Sequence, residues 1–135
     1  MKPILGRFQS YVYGVFRIVS GYAFMLHGAQ KLFGVLGTAG PVDYLSLMGL
    51  AGTIEFCGGA LIAVGLFTSP VAFLASGQMA FAYFMGHVAR NGDLLAPLIN
   101  RGESAVLFCF IFLYFAAAGG GALSLDRVIA GRKMR

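Results

Sequence analysis

The sequence predicts an all-α integral membrane protein, a bundle of four transmembrane helices with both termini in the cytoplasm. Three observations predict it. Of 135 residues, 59% are hydrophobic and only 11% charged, with a mean hydropathy of +0.81. A soluble domain carries about twice that charged fraction, because its surface faces water. No formally charged residue occurs from Phe56 to Ala89 or from Ser104 to Leu123. The basic residues gather in the two tails, as the positive-inside rule expects of a multi-pass protein.

A spanning helix needs about 20 mainly apolar residues. Tyr11 to Phe33 supplies the first, although it carries Arg17, His27 and Lys31. Lys2 and Arg7 ahead of this run resemble the start of a signal peptide. Arg17 interrupts the run, however, and no small-residue cleavage site follows, so the segment is expected to be retained as a helix. Gly37, Gly40, Pro41 and Asp43 mark a loop over 34–47, with a short interfacial helix expected after Pro41. The uncharged run from Phe56 to Ala89 is too long for one crossing, and Thr68-Ser69-Pro70 divides it. Proline favours the first position of a helix, with a hydroxyl residue capping ahead of it. Helices two and three are therefore placed over 49–67 and 71–88. Residues 90–101 read as an exposed loop, and helix four as 104–123. Asp126 is expected to cap a last short turn over Arg127–Ala130.

One domain over 1–135 fits this length. The tails hold Lys2, Arg7, Arg127, Arg132, Lys133 and Arg135, whereas Arg90 and Arg101 are balanced by Asp93 and Glu103. This asymmetry puts the tails in the cytoplasm, and in a bacterium the His27, Lys31, Glu55, His87 and Glu103 ends face the periplasm. The net charge of +5 thus reflects topology, and no nucleic-acid partner is expected. Cys57 and Cys109 stand far apart in apolar stretches and read as small fillers rather than a dithiol.

In lipid, small residues that let helices approach drive packing. Gly14, Gly21 and Gly28 repeat every seven residues on one face of helix one; Gly52 and Gly59 flank Glu55 on helix two. Ionisable groups within a span cost about 2.5–3.5 kcal/mol each, so they face the interior or a wet cavity. Arg17, Gly21, Phe24, Gly28 and Lys31 form one helical stripe. His87 shares a face with Tyr83 and Ala80, and Glu103 lines up with Leu107, Phe110 and Tyr114. Each polar residue is thereby placed on an interior face. Gln78 falls on the face opposite His87 and is left outside the site. His27, Gln30, Lys31, Glu55, His87, Arg90 and Glu103 then converge on one outward-facing zone. There Lys31 or Arg90 neutralises Glu55 and the second cation pairs with Glu103. The bland alternative is that Lys31, Arg90, Arg101 and Glu103 snorkel to the headgroups. Arg17 lies apart, near the inner side, with a helix C-terminal carbonyl set, a lipid phosphate or Asp126 as its partner.

Taken together, these residues resemble the DoxX/DoxD-like family of small bacterial four-helix membrane proteins. The resemblance rests on Arg17 with Gly21 and on His27-Gly28-Ala29-Gln30-Lys31-Leu32-Phe33. It also rests on Glu55, Gly58, Gly59, Gly65-Leu66-Phe67-Thr68, Asn100-Arg101-Gly102-Glu103 and Gly119-Gly120-Gly121 with Ser124-Leu125-Asp126. Family members often have Gly-Pro-Gly where this chain has Gly120, a departure expected to loosen that turn slightly. The resemblance implies a subunit of a membrane oxidoreductase, because the family is similar to a subunit of an archaeal thiosulfate:quinone oxidoreductase. It implies a pocket for a quinone headgroup or a small anionic substrate. Glu55, His27 and His87 would carry protons; Lys31, Gln30, Arg90, Glu103 and Tyr83 would bind the substrate. A homo-oligomer or a partner redox subunit in the bacterial inner membrane is implied as well. No metal site is expected from two histidines on separate helices. Two other classes fit the same residues: a non-catalytic assembly or lipid-binding subunit, and a small proton-coupled transporter with Glu55 exposed alternately to each side.

Overall fold

The computed structural model describes residues 3–37 and 40–133, and at 132 and 133 the backbone alone. Lys2 and Arg135, assigned above to the cationic tails, lie outside the described residues, as do the side chains of Arg132 and Lys133. The described chain is helical throughout: α1 (Gln9–Phe33), α2 (Leu47–Val64), α3 (Thr68–Asn91), α4 (Glu103–Ala118) and α5 (Leu125–Lys133). Helices α2 and α3 are long and apolar enough to cross a membrane, while α4 is a shorter apolar helix. Their outward faces carry Phe73, Phe81, Leu107 and Phe110, all exposed, as lipid-facing side chains would be.

Several helix ends differ from expectation, and three have a clear physical reason. Gly65 (φ 71°) adopts the left-handed conformation that a C-terminal cap favours, so α2 stops at Val64 rather than 67. Gly119, at a positive φ of 74° but with an extended ψ, ends α4 at Ala118, short of 123. Helix α3 starts at Thr68, and no hydroxyl side chain caps it. Its cap comes from far along the chain: the backbone N–H groups of Phe67 and Thr68 donate to the two Asp126 carboxylate oxygens at 2.8 and 2.9 Å. Asp126 therefore does not cap its own helix. Ser124 Oγ does that, accepting from Arg127 N–H at 3.3 Å. After Pro41 no interfacial helix forms. The segment instead straps back over the end of α1, with Val42 N–H donating to Lys31 O (2.8 Å) and Tyr44 OH to Leu32 O (2.7 Å).

Helix α1 lies along α2, and α3 along α4. The first pair meets through glycine. A Cβ on Gly21 would sit 2.5 Å from Ala63 N, and one on Gly59 2.5 Å from Met25 N, so only hydrogen fits. The second pair meets through Ala72, Ala75 and Met79 against Ala105, Phe112 and Phe115. Phe24 joins the pairs, its ring 4.6 Å from that of Phe112.

Arg17 fixes the end of the molecule nearest the tails. Its side chain is fully buried and donates to the carbonyls of Gly120 (2.9 Å), Ala63 (2.8 Å), Leu123 (2.7 Å) and Ile62. A C-terminal carbonyl set is thus its partner, drawn from the end of α2 and the turn after α4. Tyr13 OH donates to Gly119 O (2.5 Å) beside it. That turn is held rather than loose, and at Gly120 a Cβ would meet Ser124 Oγ at 2.8 Å.

Burial pushes the Asp126 carboxyl up, but the N–H groups of Thr68 and Phe67 and the nearby Arg17 charge outweigh it, and the net shift is downward. A lowered folded value stabilises the fold above the ordinary carboxylate range and ceases to do so as pH falls through the folded value. Asp126→Ala is therefore expected to cost about 1 kcal/mol at neutral pH, the worth of a helix cap. The gap from wild type should be full above about pH 4 and close at more acid pH. Thermal unfolding in detergent across that range checks the sign.

Candidate functional site

At the opposite end, beyond Phe24, the two helix pairs diverge around a cavity of about 180 Å³. Its polar walls are His27 and Lys31 from α1, Glu55 from α2, His87 from α3 and Ser104 from α4. Phe24, Met79 and Phe108 form its apolar floor.

The glycine seam places the two charges. Gly28 is one turn before Lys31 and Gly52 one turn before Glu55, and a Cβ on Gly52 would touch Lys31 Cβ at 3.0 Å. This close approach lets Lys31 Nζ reach across and donate to Glu55 Oε1 in a short ion pair. Glu55 is 1% exposed, so the carboxylate is taken out of solvent and depends on that partner. Gln78 Nε2 donates to the same oxygen at 2.9 Å. Glu55 Oε2 and Gln78 Oε1 are buried with no hydrogen-bond partner.

Gln78 was excluded on spacing, and its contact with Glu55 is a correction. Nine residues at roughly 100° each put Gln78 and His87 on opposite faces of an ideal α-helix. Between them, Ala82–Val88 is π-helix, whose wider i→i+5 turn advances each residue less. The rotation is thereby reduced, and both residues are brought toward the interior. No sequence signal marks this segment beyond its aromatic and small residues.

His87 Nδ1 lies 3.1 Å from the backbone oxygen of Asn100. A carbonyl can only accept, so this bond needs the proton on Nδ1 and leaves Nε2 of the neutral ring as an acceptor. Asn100 itself is fully buried within the loop between α3 and α4, which otherwise reads as exposed. Its Nδ2 donates to Asp93 O (2.6 Å) and Tyr83 OH (3.2 Å), and its Oδ1 accepts from Gly102 N–H (2.8 Å). Tyr83 in turn donates to Leu94 O (2.7 Å). Asn100 thus holds the loop closed over the end of α3. Sequence reasoning missed this role, since a single loop asparagine carries little signal.

Gln30, Arg90 and Glu103 do not line the cavity. Arg90 and Glu103 are exposed, and the Leu107–Phe110–Tyr114 stripe that Glu103 was placed with faces outward. The inward face of α4 is Ala105, Phe112 and Phe115. Glu103 phases helix four toward Phe110 and Tyr114, whereas the buried face is that of Phe112 and Phe115. Gln30 is half-buried beside the 34–37 turn, its Nε2 donating to Leu36 O (3.1 Å). His27 stands at the outer rim, edge-on to Phe108 at 5.8 Å.

The DoxX family pattern matches residues 14–88. An uncharacterized protein of Haemophilus influenzae is 42% identical over 126 residues, covering 90% of this chain and 93% of its own length. Two further relatives are each 30% identical over 122 residues. One is a Bacillus subtilis protein named "Putative oxidoreductase CatD", with 87% of each chain covered. The other is an Escherichia coli protein named "Inner membrane protein YphA", with 82% of this chain and 85% of the relative covered. No solved structure matches. From Arg17 through the glycine seam to His87, the matched segment carries most of the site, and the chain belongs to the DoxX family of membrane proteins.

Proposed function

We propose that this protein is a multi-pass subunit of a membrane oxidoreductase in the bacterial inner membrane. In this reading, α1 to α4 all cross the bilayer as a single domain over 1–135, both tails are cytoplasmic, and the cavity opens outward to take a quinone headgroup or a small anionic substrate. The observation that carries it is Glu55, fully buried and paired with Lys31 on the wall of a cavity shared with His27 and His87. A buried carboxylate lining the same cavity as two imidazoles supplies proton carriers between the interior and the rim. The names of CatD and YphA support the oxidoreductase and inner-membrane parts of the reading. Arg7 and Arg127 at the tail end support the orientation. Arg90, Glu103, Gln30 and Tyr83 then serve the mouth and the loop closure rather than the substrate itself.

Native mass spectrometry of the detergent-purified protein tests this. A small molecule or partner subunit is expected to co-purify, and the small molecule should be lost from Glu55→Gln and from Lys31→Met. Unchanged occupancy in both variants would overturn the pocket. Flux of protons or substrate through proteoliposomes that depends on Glu55 would favour a transporter instead.

A further inference from the structure

A second groove opens at the other end of the molecule, away from the cavity. Its volume is about 540 Å³, within the roughly 300–1,000 Å³ of ligand sites. Tyr11 from the first turn of α1 and Val64 from the last turn of α2 line one part of it. Leu123 from the turn after α4, with Leu125, Arg127 and Val128 from α5, lines the rest. All six side chains are exposed.

The polar groups around this groove are unevenly used. Both Asp126 carboxylate oxygens accept from the backbone of Phe67 and Thr68. Leu123 O accepts from Arg17, and Ser124 Oγ donates to Gly121 O. Arg127 gives its backbone N–H to Ser124 Oγ, but its guanidinium has no partner among the described residues. The Tyr11 hydroxyl has none among them either. The chain has no acid to spare for this end. Of its five acidic residues, Asp43, Glu55, Asp93 and Glu103 belong to the cavity end, and Asp126 is already bonded. Against it stand Arg17 and the six cations of the tails. A fixed counter-charge for Arg127 therefore comes from outside the chain.

In a membrane protein the molecules packed against a helix end are lipids, and basic pockets there take anionic headgroups. A phosphate matches the open groups, since a guanidinium grips two of its oxygens and a hydroxyl donates to a third. The apolar walls match an acyl chain. We infer that this groove binds one anionic phospholipid of the adjoining leaflet. Its phosphate is taken by Arg127 and Tyr11, and the start of a chain runs along Val64, Leu123, Leu125 and Val128. The positive-inside rule accounts for how many cations lie at this end; the groove singles out Arg127 among them. The site is independent of what the cavity binds.

Native mass spectrometry of the full chain in detergent tests it, with phosphatidylglycerol and phosphatidylcholine of the same acyl chains offered in equal amounts. Wild type is expected to retain phosphatidylglycerol about tenfold over phosphatidylcholine, as one charge-assisted bond allows. Arg127→Gln should abolish that preference without lowering the thermal midpoint, because the side chain is exposed. Arg127→Lys should recover part of it. Arg7 lies over the Phe8 ring and does not line the groove, so Arg7→Gln should leave most of the preference. Equal losses in the two Gln variants would mean a diffuse attraction to charge and overturn the site. Displacement of the lipid by glycerol 3-phosphate, or a protein chain retained in its place, would overturn the lipid as occupant. Glu55→Gln, which disables the cavity, should keep the preference, so failure of this site and failure of the cavity are told apart. A preference lost with Glu55 would place the lipid in the cavity and overturn the groove.

Discussion

Arg17→Leu is expected to leave the protein unable to hold its fold in detergent. Four hydrogen bonds run from the one guanidinium to carbonyls of Ile62, Ala63, Gly120 and Leu123. Bonds with a charged partner contribute about 1.5–3 kcal/mol each, and carbonyls stranded in a buried site add their own penalty. The four act as a unit and do not sum. A loss on the order of 5 kcal/mol is still expected, comparable with the whole stability of a small domain. Arg17→Lys should recover only part of it. An ammonium has three donors but lacks the planar fork that spans two separate chain segments. Yield of monodisperse protein and the thermal midpoint, compared across wild type, Lys and Leu, measure the ranking. A Leu variant as stable as wild type would show that the carbonyls find other partners.

Gly28→Val is the second large effect, and it reaches the site from outside. An added Cβ would fall on Phe56 N and 2.7 Å from Gly52 O, both backbone, so α1 and α2 would have to separate. Overpacking of this kind costs about 1–3 kcal/mol, occasionally more. Separation also draws Lys31 from Glu55, and a buried charge that loses its partner costs about 3–5 kcal/mol. Gly77 is the control, because nothing lies within 4 Å of a Cβ built there. Gly77→Ala should be neutral or stabilise by up to about 1 kcal/mol through helix propensity. Thermal unfolding of both variants distinguishes a packing clash from a general intolerance of glycine replacement. Gly28→Val should also lose any ligand that depends on the ion pair.

The sequence was informative where the physics is local and periodic. A seven-residue glycine repeat in an apolar helix defines a contact face by itself, and Gly14, Gly21 and Gly28 are all buried. The cost of burying charge likewise calls for a cation beside Glu55, Lys31 or Arg90, and Lys31 is the one that pairs with it. What was not legible depended on partners distant in the chain or on departures from ideal helix geometry. Asp126 reads as the cap of the helix it belongs to, yet it serves α3, because the turn after α4 brings it there. Gln78 reads as outward until the π segment changes the phase of α3. Helix four, nearly uniform in hydropathy, offered Glu103 as its one polar marker. A charge beside a helix start marks the terminus rather than the inner face, and the phase of α4 read from Glu103 is the wrong one.

The Arg17 network also sets an order on assembly. Arg17 leaves the ribosome early, Ile62 and Ala63 follow with the second helix, and the acceptors Gly120 and Leu123 arrive about a hundred residues after Arg17 itself, |i−j| being 103 for Gly120. Through most of synthesis the guanidinium has at most its two acceptors on α2. The glycine seam can pair the first two helices earlier, but the network around Arg17 is complete only when the final turn arrives. A chain cut after Ala118 would keep every long helix and still lack the clasp that joins the first to the last.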